Sequence, residues 1–321
     1  MNKNYLNFRT DMADERVDTY KRVHNLSEID GVKVSTNTMD NVITTVVDVL
    51  NEIGEEALGK KKGKYITIEI QDVNYIDENE KEKIQNNLSK NIKELIGVDN
   101  TKSLMVVGLG NIAVTPDALG PKVIQNIDIT RHLLKFANNL VDPNTREVSA
   151  ICPGVLGTTG IETSEIIHSV VEKVKPDILI VIDSLASHSI HRVGCTIQLS
   201  NTGITPGEGV RNKRAELNEQ TLGIPVIAIG VPTVVDMATI TNEAIDKMIE
   251  NSQNEINEFN SNNINQKDFS NFLALFEEDS RYNMIANVLD TQNYIVTPKE
   301  VDELIIKMSE IITNGINLAA N

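Results

Sequence analysis

Hydrophobic positions along this chain repeat with two different periods, and their alternation predicts a fold class. Short, mainly apolar runs at Leu104 to Val107, Val148 to Cys152, Ile178 to Ile182 and Val226 to Ile229 are bounded by Gly, Pro or an acid. Such runs read as buried strands. Thr196 to Leu199 supplies another, and Tyr65, Ile66, Ile68 and Ile70 predict a strand with one well-buried face. Elsewhere the spacing changes to three and four residues. Ile84, Leu88, Ile92 and Leu95 line one side of a charged helix over 78–96. Ile166, Ile167, Val170, Val171 and Val174 do the same behind a cap at Thr163 or Ser164. Val42, Ile43, Val46, Val47, Leu50 and Ile53 predict an amphipathic helix within 38–58, closed by Gly59. A last helix opens at Thr297-Pro298-Lys299-Glu300, a capping box. Residues 1–15 are polar and read as a flexible arm; the Asn-rich stretch 251–268 reads as a surface insertion. Strands alternating with helices predict an α/β, three-layer domain whose mixed, largely parallel sheet is covered on both faces.

One stretch concentrates chemistry at a strand end. After Leu104 to Val107, Gly108 and Gly110 allow a sharp turn. Thr115 then suits an N-cap, Pro116 the first helical position and Asp117 the first turn of a helix running past Val123 and Ile127. A second acid, Asp183, ends the run DILIVID. Both carboxylates stand just beyond strand C-termini, where ligands gather in α/β folds. Brought together by the fold, they would share a proton and activate water. Helix N–H groups favour the ionised form of Asp117, whereas desolvation favours the protonated form of Asp183. Each position also suits a structural acid, and spacing alone favours that plainer role.

Other groups carry weaker signals. Gly108 to Asn111 lacks the third glycine of a dinucleotide fingerprint and the lysine of a P-loop. The loop holding Gly154, Gly157, Thr158, Thr159 and Gly160 could wall a cleft, line an oxyanion site or simply turn the chain. The loop at 201–214 is a second candidate cleft wall. Asp183, His188 and His191 form a compact set that would need a further ligand to hold a metal. A metal-dependent peptidase and a non-catalytic nucleotide- or peptide-binding module therefore stand beside the two-aspartate hydrolase.

Composition narrows the partners more than the chemistry. The formal charge of −16 disfavours direct nucleic-acid binding, which needs clustered Lys and Arg. The compact basic runs, Lys60 to Lys64 and Arg211 to Arg214, read as solvated loops. No segment is long and apolar enough to span a bilayer, and the first residues carry no signal-peptide apolar run, so a cytoplasmic setting is expected. Cys152 and Cys195 imply no disulfide framework and read as small packed residues. No cofactor and no metal is expected.

Several long words are more specific. VVGLGNIAVTPDALGP (106–121), PGVLGTTGIETSEII (153–167), IVIDSLASHSIHRV (180–193), NTGITPGEGVRNKRAEL (201–217) and LGIPVIAIGVPTVVD (222–236) together resemble the germination protease family of endospore-forming bacteria. The likeness continues through RTDMADE (9–15) and YIVTPKEVDELI (294–305). It implies an endopeptidase that initiates degradation of small acid-soluble spore proteins, with a fold distantly like hydrogenase-maturation peptidases. It also implies a homotetramer located in the cytoplasm of the forespore and spore core. The family's two aspartates fall on Asp117 and Asp183. Its self-processing word falls on Arg9 to Glu15, which places a zymogen cut between Asp11 and Met12. Residues 1–11 are then a propeptide, and 12–321 a single peptidase domain interrupted at about 251–268. Ser184, where many relatives carry Ala, and Met12, in place of Leu, are mild departures.

Overall fold

The structure is a computed structural model that describes residues 10–39, 42–71, 73, 75–97, 99, 101–206, 215–258, 284–285 and 294–321, the side chains of 249–258 excepted. Nine strands build one sheet: β1 (Val32–Met39), β2 (Val42–Val49), β3 (Gly63–Glu69), β4 (Leu104–Gly108), β5 (Val148–Ile151), β6 (Ile178–Ser187), β7 (Thr196–Ser200), β8 (Val226–Asp236) and β9 (Ile295–Val296). Their order is β1-β2-β3-β7-β8-β6-β4-β5, with β9 paired to β8. The sheet is mixed. β8, β6, β4 and β5 run parallel to one another, whereas β1, β2, β3, β7 and β8 pair antiparallel in turn.

Period-two alternation explains why the central strands read as unbroken apolar runs. Leu104, Val106, Ile178, Ile180 and Ile182 point to one face. Met105, Val107, Leu179 and Val181 point to the other, and both faces are covered. Helices α1 (Ala13–His24), α2 (Glu52–Leu58), α3 (Glu78–Ile96), α4 (Leu119–Ile124), α5 (Arg131–Phe136), α6 (Leu156–Thr159), α7 (Thr163–Val174), α8 (Glu219–Leu222), α9 (Met237–Glu258) and α10 (Val301–Ala320) follow in chain order. Leu88 and Ile92 of α3, Leu119 and Val123 of α4, and Ile305, Met308 and Ile312 of α10 fill the first face. Ile167 and Val171 of α7 fill the second. A separate cluster seats α1 and α2 on the antiparallel half, through Val17, Leu58, Val47 and Tyr65.

Four local expectations change. The helix expected within 38–58 is β2 followed by the shorter α2. Its run of Val, Ile and Thr is stiff at χ1 and pairs on both sides, with β1 and β3. Asn51 caps α2 by accepting the Gly54 N–H at 3.1 Å, and Gly59 closes it with φ 63°. The Asp117 helix is a 3₁₀ turn, Thr115–Asp117, followed by α4, which ends at Ile124. The turn closes through backbone, with the Asp117 N–H donating to the Val114 carbonyl at 2.8 Å, and not through a Thr115 cap. Thr163 does not cap α7 because its hydroxyl donates to the Gly154 carbonyl at 3.1 Å. Thr297 forms no capping box because its hydroxyl donates to the Thr233 carbonyl at 2.9 Å. β6 and β8 also extend well past the apolar runs that announced them. Cys152 is exposed, and Cys195 is half-buried. Residues 259–268 of the Asn-rich stretch lie outside the described residues, whereas 251–258 continue α9.

Candidate active site

Asp117 is held by a loop that closes on itself. The Leu109 N–H donates to the Ile182 carbonyl at 2.8 Å, carrying the β4–β6 ladder one residue beyond Gly108. Gly110 then turns with φ 108°, and a Cβ there would stand 2.0 Å from the Asp117 carbonyl oxygen. Only glycine fits that approach. The Asn111 N–H donates to Asp117 Oδ2 at 2.8 Å, which fixes the carboxylate beside the strand end. Asp183 follows Ile182 on the adjacent strand, is 8% exposed and accepts the Ser184 N–H at 2.9 Å. Both acids line one cavity of about 660 Å³.

The same cavity holds the chain's own N-terminal segment. The Asp11 N–H donates to the Ala186 carbonyl at 2.9 Å, and the Ala186 N–H donates to Asp11 Oδ2 at 2.8 Å. Asp11 is thereby attached to the extension of β6 beyond Asp183, and it lines the same cavity. Its carbonyl oxygen accepts from Lys60 Nζ at 2.9 Å and from Gln198 Nε2 at 3.0 Å. Met12 and Ala13 are fully buried, and the Ala13 N–H donates to Gln198 Oε1 at 2.7 Å. The flexible-arm reading therefore fails for 10–15, because burial and hydrogen bonding immobilise the segment; residues 1–9 lie outside the described residues.

A buried charge cluster anchors the next turn. Glu15 accepts the Thr10 hydroxyl, the His188 N–H at 2.8 Å and the Ser189 N–H at 3.2 Å. Arg192 pairs with Asp14 and stands 3.6 Å from Glu15 and 3.4 Å from Glu69. Burial pushes the Glu15 carboxyl up to about 7, against the opposing pull of the Thr10 and His188 donors and of Arg192.

The germination protease profile matches residues 9–267, from the segment that enters the cavity through both acids. A germination protease of Clostridium tetani (strain Massachusetts / E88) is 48% identical over 98% of this chain and 95% of its own length. One from Clostridium perfringens (strain SM101 / Type A) is 46% identical over 98% and 95%, and one from Bacillus mycoides (strain KBAB4) 42% over 97% and 93%. The chain belongs to the germination protease family. Family membership makes it a peptidase, a class that needs a peptide-sized cleft such as this cavity. Among solved structures, a [NiFe] hydrogenase maturation protease HycI from Thermococcus kodakarensis KOD1 aligns over 44% of this chain and 80% of its own. At 17% identity and a TM-score of 0.29 that likeness is too loose to carry an argument.

The other candidates divide between the cavity lining and its surroundings. Gly154, Gly157, Thr158, Thr159 and Gly160 are absent from it, whereas Val155 of the same loop is present. The loop coils into α6, and the Thr158 and Thr159 hydroxyls turn back onto the Val155 carbonyl. Thr202 to Pro206 do line the cavity; 207–214 lie outside the described residues. His188 and His191 do not join Asp183 there. Burial first, then the nearby Arg22, pushes the His188 imidazole down to about 4, and His191 Nε2 lies 3.3 Å from Lys247 Nζ. Among the described residues no group of three or more His, Cys, Asp or Glu is arranged to hold a metal. Among them, too, no helix is long and apolar enough to cross a membrane. Sequence reading missed Lys60, Gln198 and Arg192. Lys60 sat inside a basic run, Gln198 was an ordinary strand residue, and Arg192 followed the histidines that drew attention.

Proposed function

We propose that the chain is an endopeptidase made as a self-processing zymogen, in which Asp117 and Asp183 activate a water molecule. One observation carries the reading: Asp11, Asp117 and Asp183 line the same cavity. The bond that follows Asp11 thus enters a space lined by two carboxylates, Asp183 within β6 rather than at its end and Asp117 in the turn beyond β4. One carboxylate takes a proton as the water oxygen attacks the Asp11 carbonyl carbon, and the other protonates the departing Met12 nitrogen. With one carboxylate acting as base and the other as acid, the pair covers both proton transfers of the reaction.

Cleavage there divides a propeptide, 1–11, from a peptidase domain, 12–321. The substrates we assign are small acid-soluble spore proteins, degraded in the cytoplasm of the forespore and spore core by a homotetramer. Near full-length identity to curated germination proteases supports that assignment. The test is incubation of the purified chain with a small acid-soluble spore protein, with fragments read by mass spectrometry. Discrete internal cuts that disappear in Asp117→Asn support the reading; an intact substrate after self-processing is complete contradicts it.

A further inference from the structure

We propose that Lys60 and Gln198 form the oxyanion-stabilising clamp on the carbonyl of the bond to be cut. The inference rests on the two-aspartate reading above and adds to it the groups that receive the charge formed during attack. The Asp11 carbonyl oxygen already accepts from Lys60 Nζ at 2.9 Å and Gln198 Nε2 at 3.0 Å. Both lie within the range of about 2.7–3.1 Å over which such donors work. Lys60 and Gln198 line the cavity together with Asp117 and Asp183.

The two donors are built differently, and each is suited to the task. Gln198 is 8% exposed on β7, a strand paired on both sides, with Thr67 and Gly230 as its register partners. Its amide is oriented by its two contacts, because Oε1 accepts the Ala13 N–H at 2.7 Å while Nε2 donates to Asp11. Gln198 therefore spans the Asp11–Met12 bond from its carbonyl to the next amide, and both of these hydrogen bonds are to backbone. A donor that reads backbone serves any peptide threaded through the same place. Lys60 is half-buried in the short connection between Gly59, which ends α2, and Gly63, which opens β3. It contributes a full positive charge to the cavity lining.

The step balances with one water. The water oxygen bonds to the Asp11 carbonyl carbon and gives one proton to an aspartate, while the C=O π pair moves onto the carbonyl oxygen. That oxyanion is met by the Lys60 ammonium and the Gln198 N–H. Its collapse re-forms the C=O bond and breaks the C–N bond, and the Met12 nitrogen leaves with a proton from the aspartate pair. The products are the Asp11 carboxyl and the Met12 amine. Donors already positioned on the carbonyl need no reorganisation as the charge forms.

The test is single-turnover self-cleavage of the full chain, with amide exchange at Met12 and Ala13 reporting whether the segment stays seated. Lys60→Met is expected to slow cleavage about 10²- to 10³-fold with unchanged amide protection, and Lys60→Arg to recover to within about tenfold of the original rate. Gln198→Leu is expected to slow cleavage by a similar factor and to weaken protection at Ala13 alone. Wild-type cleavage in Lys60→Met would overturn the clamp. So would a slow Lys60→Met whose Met12 and Ala13 amides have lost protection, because Lys60 would then only tether the segment. Unslowed cleavage in Asp183→Asn would overturn the two-aspartate reading and leave the clamp standing. Absence of a cut after Asp11 in the unmodified chain would overturn both.

Discussion

The two walls of the cavity are built from different amounts of chain. The acidic wall arises from neighbouring parallel strands: Asp117 is returned by a loop closed on the end of β4, and Asp183 simply continues β6. The other wall gathers Asp11, Lys60 and Gln198 from three distant stretches, and the sheet's antiparallel half supplies β7 as its support. One wall is thus fixed by short-range backbone geometry, the other by contacts that exist only once the sheet is complete. Disturbing the first should remove chemistry and spare the fold; disturbing the second should change how peptide is held.

The largest effect is expected at the acidic wall. Asp117→Asn or Asp183→Asn should lower peptide cleavage by at least about 10³-fold, the scale of losing positioned acid–base catalysis, with the circular dichroism spectrum unchanged. Arg192→Met should act on the other wall. It leaves Asp14 and Glu15, 6% exposed each, buried without that partner, at a cost of about 3 kcal/mol in denaturant unfolding.

A smaller effect follows from pH. The Glu15 carboxyl is raised from 4.5 to about 7 in the folded chain, so the folded state binds the proton more tightly than the unfolded one. Its stabilising contribution is fully present below pH 4.5 and is lost as pH rises through about 7. Seating of 10–15, followed by amide exchange, should weaken over that window by up to about 3 kcal/mol. Glu15→Gln should flatten the dependence. The smallest effect is expected at Thr158 and Thr159, which turn onto Val155 and stay off the cavity lining. Their replacement by Ala should leave cleavage within about twofold, since surface changes of this kind seldom exceed a few tenths of a kcal/mol.

The same contrast explains what could be read in the sequence. The helix over 78–96 was legible because its apolar spacing and its Asp77–Glu80 capping box both lie within the segment. Asp183 was legible because it directly follows an apolar run, although β6 continues past it to Ser187, and Asp117 because a glycine turn leads from β4 into its helical turn. Residues 42–49 were misread because Val42, Ile43, Val46 and Val47 satisfy helical spacing as well as strand pairing, and only β1 and β3 decide between them. The burial of Met12, Ala13 and Glu15 had no local signal in a polar stretch. It depends on Ala186, His188 and Gln198, which the fold brings up from far along the chain.

The most direct test of the central claim is the intact mass of the full chain, followed over time in its original form and as Asp183→Asn. Loss of residues 1–11 by a single cut between Asp11 and Met12 is expected, with no such loss in the variant. A cut at another bond, or the same cut at an undiminished rate in Asp183→Asn, would contradict it.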